Sequence, residues 1–222
     1  YITGKGRCNV TNNCTPEDLL NAVVQNAKFL YSAFYTFTSQ DMMDFLEESG
    51  ASLKTERGNR VFPCSDHSSD IIRALEHRMK EYGVRIHLKS PVKSLILEEG
   101  RAEGVLLSDG SIHKGDAVIV ATGGLSYPAT GSTGDGYRFA RDAGHKVTDL
   151  SPSLVPLHTK EAYIPEMAGL SLKNVELTIK NGKKILYRDF GEMMFTHSGI
   201  TGPLVLTASA YIGSALRKNG EL

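Results

Sequence analysis

Three glycine-rich stretches of this chain are built from residue types that can hold an anion or a flat ring against the main chain. The first, Thr3-Gly4-Lys5-Gly6-Arg7-Cys8-Asn9, sets a lysine between two glycines and follows it with a guanidinium. Fixed cations beside glycine backbone suit a pyrophosphate or a cofactor carbonyl, and Asn9 and Asn12 can donate or accept at a polar ring edge. The competing reading is a solvated turn with incidental cations. The second, Ala121-Thr122-Gly123-Gly124, follows the apolar run Val118-Ile119-Val120. In open α/β sheets, ligands sit beyond the carboxyl ends of strands, where main chain can be approached closely only if Cβ is missing. A plain β-turn is the alternative. In the third, Thr130-Gly131-Ser132-Thr133-Gly134-Asp135-Gly136, the glycines free amides for a phosphate at a helix start, or Asp135 simply caps that helix. It is not a Walker loop, because the Gly-Lys-Ser/Thr ending is absent.

Further candidates stand alone. Arg57 and Arg60 flank a Gly58-Asn59 turn, which could take an anionic substrate or cofactor, or be an exposed salt-bridged turn. His197, in Phe195-Thr196-His197-Ser198-Gly199, and Tyr127 are candidates for acid–base work, although a lone loop histidine is more often structural. Cys8, Cys14 and Cys64 match no zinc or CxxC spacing, and the seven histidines form no ligand pair, so no metal site is expected. Cys8 reads as a small buried residue. Free thiols suit a reducing, cytoplasmic compartment.

Composition narrows the function classes. Twenty-five Lys+Arg against 25 Asp+Glu give a formal charge of zero, with no basic tract of the kind a nucleic-acid surface needs. No apolar run approaches the length of a membrane span. The 222 residues, 41% of them hydrophobic, suffice for a substantial core. The chain opens on Tyr1 without a signal-peptide apolar region, and a fragment or processed chain is the expectation.

The elements that must position these residues follow from periodicity. Thr15-Pro16-Glu17-Asp18 starts a helix expected to reach Ala27; a second runs from Ser39 to Gly50. Ser52 to Pro63 reads as short strands or extended loop. A third helix starts at Ser68 or Ser69, with Ile71, Ile72, Leu75, Met79 and Tyr82 as its apolar stripe, and Gly83 closes it. Strands are expected over Val84 to Leu88, Val92 to Leu97 and Ala102 to Leu107, then over Asp116 to Ala121 as a strand buried on both faces. A helix over Thr133 or Gly134 to Ala143 follows. Ser151-Pro152-Ser153 marks a boundary, so residues 1–150 form one α/β domain and 151–222 a β-rich one. The latter carries strands over Val175 to Lys180 and Lys183 to Tyr187 around an Asn181-Gly182 turn, then a helix over Pro203 to Leu216.

As an ordered set, six runs resemble the BaiN/YhiN-like family of FAD-dependent oxidoreductases, which includes aminoacetone oxidase-like members. They are Ile2 to Asn12, Lys28 to Tyr35, Glu56 to Pro63, Ala121 to Tyr137, Ser151 to Leu157 and Phe195 to Pro203. The resemblance implies a partial Rossmann-like, two-dinucleotide-binding α/β flavoprotein domain with an inserted β-rich domain that covers the flavin. It puts Gly4, Lys5, Gly6, Arg7, Cys8 and Asn9 in the FAD neighbourhood, with Lys5 and Arg7 near cofactor oxygens. It sets the Val92 main chain against the adenine and Ala121, Thr122, Gly123 and Gly124 under the cofactor. Arg57, Arg60 and His197 are candidates for the substrate side, and no matching motif assigns a catalytic residue. The implied activity is hydride transfer between a small organic substrate and flavin, with NAD(P)H as a candidate electron donor. A nicotinamide-only dehydrogenase and a non-catalytic flavin- or nucleotide-binding module are the alternatives. The family's opening strand, GxGxxG turn and ribose-binding acid have no counterpart here, so these 222 residues alone are expected to bind FAD weakly or not at all.

Overall fold

A computed structural model describes residues 6–219. The chain folds into two compact units, Tyr1–Arg85 with Ser151–Leu222, and Ile86–Leu150.

In the first unit, β1 (Thr11–Asn12) leads to α1 (Pro16–Ala22), α2 (Ala27–Thr36) and α3 (Ser39–Glu48). The hairpin β2 (Leu53–Glu56) and β3 (Arg60–Pro63) follows, then α4 (Ser68–Glu81). Capping chemistry sets two of these starts. Thr15 and Thr38 each accept from the amide three residues on, and Asp18 and Asp41 reach back to the cap amide. The helix expected to run to Ala27 stops at Ala22, because the β-branched pair Val23-Val24 follows and Asn26 turns left-handed at φ 56° to start α2. Aromatic α2 buries no residue, and Phe29 is 85% exposed. The stripe on α4 is also narrower than its periodicity suggests. Ile71 and Ala74 are buried with Leu46 and Ala51, whereas Ile72, Leu75 and Tyr82 face out.

After Ser151 the same unit gains a four-stranded antiparallel sheet ordered β7-β10-β9-β8: Leu157–His158, Gly199–Thr201, Lys184–Thr196 and Ser171–Asn181. The expected hairpin is therefore real but longer, with β9 running past Tyr187 to Thr196. The helix α6 (Pro203–Asn219) packs on β9 through the buried Leu204, Val205, Ala208 and Ile212.

The second unit is a three-stranded meander, β4 (Val92–Glu98), β5 (Arg101–Leu107) and β6 (Ile112–Lys114), with α5 (Asp135–Asp142). Two expected strands are absent. Val84 to Leu88 forms no strand ladder among the described residues and lies exposed. Asp116 to Ala121 likewise lies outside any ladder, and Ile119, which should be buried on both faces, is 91% exposed. Its composition is that of a central strand. Such a strand needs a neighbour at each edge, and no described strand offers one.

Candidate functional site

The Gly6–Asn9 loop is held by the β2–β3 hairpin. β1 pairs antiparallel with β3, Thr11 opposite Val61 and Asn12 opposite Arg60. The Asn9 side-chain amide donates to the carbonyls of Thr11 and Val61 at 2.9 and 3.0 Å, so Asn9 works as a clamp on its own strand pair. Arg7 lies across the Phe62 ring, its Cζ 4.0 Å from the centroid, and Nη1 donates to Glu56 Oε1 at 2.9 Å and Asp66 Oδ1 at 3.1 Å. Lys54 closes the set, with Nζ 2.7 Å from Asp66 and 3.5 Å from Glu56. Two cations thus share two carboxylates, and the guanidinium is engaged within the protein. Gly4 and Lys5 lie outside the described residues.

This alternating set has a pH signature. The Arg7 hydrogen bond holds the Glu56 carboxyl below its ordinary 4.5, and Lys54, then Arg7, holds Asp66 below its ordinary 3.8. A carboxyl whose folded-state pKa is depressed stabilises fully above its unfolded value and loses that contribution as pH falls through the lowered one. The denaturation midpoint should therefore fall on acidification from about pH 5 to pH 2, and less steeply in Glu56→Gln. Urea titrations across that range check it. A Glu56→Gln curve parallel to the parent's would show the pairing contributes nothing.

Arg57 and Arg60 lie at the exposed end of the same hairpin. Arg60 Nε donates to the Arg57 carbonyl at 3.2 Å, and among the described residues neither guanidinium has a carboxylate partner, so the turn is exposed but not salt-bridged. His197 occupies the exposed turn between β9 and β10. Cys8 is half-buried at φ 65°, beside the Leu46–Ile71 core, and all three thiols are free.

In the second unit the two glycine stretches lie on each other. The Gly134 amide donates to the Gly124 carbonyl at 3.1 Å. A Cβ on Gly136 would stand 2.6 Å from Thr122 Oγ1 and 3.3 Å from Val120 Cγ1. The bare Gly136 lets α5 seat against Val120 and Thr122, which gives this glycine a packing role. Asp135 does not cap α5. Gly134 takes the cap position at φ 83° without a side-chain bond, and Asp135, the first helical residue, accepts from Thr133 Oγ1 at 2.8 Å and Arg138 Nη2 at 2.9 Å. The other arm of Arg138 donates to the Lys93 carbonyl at 2.6 Å, tying α5 to β4 beside Val92, itself half-buried opposite Leu107.

What α5 supports is open main chain. Ala121, Thr122 and Gly123 are exposed, and among the described residues the amides of Thr122, Gly123 and Gly124 donate to no protein acceptor. Such a row can receive the oxygens of a ring or phosphate. Gly123 has φ +70°, so an alanine is strained there with or without a ligand. Tyr127, 65% exposed, starts the short 3₁₀ turn Pro128–Thr130.

The structure thus brings Arg7 and Asn9 together with the β2–β3 hairpin of Arg57 and Arg60, and Ala121–Gly124 together with α5. It leaves His197 and Tyr127 on separate surface turns of the two units. Sequence reasoning missed Lys54, Glu56 and Asp66. Their only signal was opposite charge, which does not reveal partners 49 or 59 positions away in the chain. No group of three or more metal-ligating side chains and no helix long and apolar enough to cross a membrane occurs among the described residues.

The described elements combine α-helices with three small antiparallel sheets, an α/β chain. The HI0933-like protein Rossmann domain family matches residues 1–215, and the chain belongs to that family. It is 30% identical over 221 residues, 99% of its length, to the 3-dehydro-bile acid delta(4,6)-reductase of Clostridium scindens. It is 33% and 31% identical over 215 residues, 95% of its length, to the ribosomal RNA dihydrouridine synthases of Haemophilus influenzae and Escherichia coli. The chain spans about half the length of these relatives, 52%, 51% and 51% respectively.

Proposed function

We propose that the natural protein is an FAD-dependent oxidoreductase that reduces a carbon–carbon double bond conjugated to a carbonyl, with NAD(P)H as electron donor. The bound flavin would supply the hydride chemistry. The observation that carries the reading is the open main chain at Ala121–Gly124, buttressed by α5 and furnished with free amides. A flat ring can approach that backbone where side chains could not interpose. Membership of the HI0933-like family supports the same reading, as do the named reactions of its relatives: a reduction of a delta(4,6) bile acid and the formation of dihydrouridine both add hydrogen.

The Ala121–Gly124 turn and the Gly4–Asn9 loop are each read as cofactor contacts, with Val92 toward the adenine. Within the loop, Arg7 acts by positioning. Its ion pairs with Glu56 and Asp66 and its place on Phe62 fix the Gly6–Asn9 backbone, leaving Lys5 as the cation read toward cofactor oxygens. Residues 151–222 are read as the inserted part on the substrate side, with His197, Arg57 and Arg60 as candidate substrate contacts. The balance of 25 cations against 25 anions favours a small molecule over RNA as substrate.

The test is anaerobic. The natural full-length protein is reduced with NAD(P)H and then offered, separately, a neutral cyclic enone, a uridine-containing RNA and oxygen. Reoxidation by the enone at least tenfold faster than by oxygen is expected. Reoxidation by oxygen alone would make the protein an oxidase, and reoxidation by RNA alone would reassign its substrate.

A further inference from the structure

A cleft of about 580 Å³ opens in the first unit. Its walls are the end of α1 and the turn after it (Val24, Gln25), the segment Ser151–Leu154, and the outer face of α6 (Thr207, Ala210, Tyr211). Two features make the α6 wall rigid. Its opposite face is buried on β9, and Ser209 Oγ accepts from the Val155 amide at 3.0 Å while donating to the Leu206 carbonyl at 2.7 Å, which pins the 151–155 segment to the helix. Room is left because α6 presents small side chains here, and Tyr211 is turned against the Tyr187 ring, 5.3 Å between centroids. The volume falls within the range of small-molecule sites.

The lining carries no lysine, arginine, histidine, aspartate or glutamate. A carboxylate or phosphate entering it would give up hydration with no cation in return, whereas a neutral apolar molecule gives up nothing comparable. Polar groups are nevertheless present. The Gln25 amide, the Ser153 hydroxyl and the Tyr211 hydroxyl hydrogen-bond to no protein group among the described residues, and so are available to a carbonyl or hydroxyl.

We infer that this cleft binds an uncharged, predominantly apolar ligand bearing a carbonyl or hydroxyl, which Tyr211 meets with its phenol. Assigning that ligand as the substrate rests on the reductase reading; the binding itself does not.

Isothermal titration of the oxidised natural protein, without electron donor, uses testosterone, a neutral four-ring enone, and testosterone sulfate, the same skeleton carrying an anion. Saturable testosterone binding is expected, at least tenfold weaker for the sulfate. Ala210→Trp, which fills the cleft from the α6 wall, should abolish it. Tyr211→Phe, which keeps the ring and its contact with Tyr187, should weaken it about three- to tenfold and decides the matter where the tryptophan variant does not fold. No binding up to the solubility limit, equal affinity for the sulfate, or affinity unchanged in Tyr211→Phe or in folded Ala210→Trp would each overturn the inference. Testosterone bound at the cleft of a protein that never takes up flavin would sink the reductase reading alone. Enone turnover with a cleft that binds nothing would sink this inference alone.

Discussion

Gly199→Ala is expected to open the edge of the four-stranded sheet and to cost roughly 2–4 kcal/mol of stability. Gly199 lies opposite His158 in the β7–β10 pair, and a Cβ there would stand 2.0 Å from the Leu157 carbonyl oxygen and 2.8 Å from the His158 Cα. Both are backbone atoms, so no rotamer change relieves the clash. The strands must separate and surrender their ladder bonds, each worth about 1 kcal/mol net. Gly182→Ala is the control. That glycine also has positive φ, but its Cβ would meet nothing within 4 Å, so only the backbone term of about 1 kcal/mol applies. Guanidinium denaturation of the two variants checks the difference. Equal midpoints would show that the β7–β10 pairing does not need a bare residue at 199.

Phe62→Ala should be as damaging, at about 3–5 kcal/mol. The ring is 1% exposed in β3, between the partners β1 and β2, and it carries the Arg7 guanidinium on its face. Truncation leaves a cavity and removes the surface on which Arg7 lies, so the Gly6–Asn9 loop loses its floor as well as its core contact. Phe62→Leu keeps most of the volume and should cost less than half as much, while still abolishing the cation–π contact. If the two variants prove equally stable, the ring is not packed as described.

Much of the local structure was legible because it is encoded locally. The helix start at Thr15–Asp18, the Asn181-Gly182 turn and the Gly83 stop are written within four residues of where they act. What failed depended on partners elsewhere. Val118-Ile119-Val120 has the composition of a buried strand, but no local signal says whether a neighbour is there to pair with it, and Ile119 stands exposed. The pairing of Arg7 with Glu56 and Asp66 was hidden for the same reason.

The runs that carry the family resemblance divide in an informative way. Ile2 to Asn12 and Glu56 to Pro63 meet as β1 and β3; Ser151 to Leu157 and Phe195 to Pro203 meet as β7 and β10; the two halves of Ala121 to Tyr137 meet through Gly124 and Gly134. Several of their glycines and polar residues therefore hold backbone against backbone. The amides of residues 122–124, by contrast, donate to no protein acceptor among the described residues.

The most direct measurement is the visible spectrum and extracted cofactor of the natural full-length protein, before and after reconstitution with FAD. A yellow protein that releases FAD, about one per chain, on denaturation is expected. A colourless protein that takes up no flavin on reconstitution, while folding and binding NAD(P)H, would contradict it.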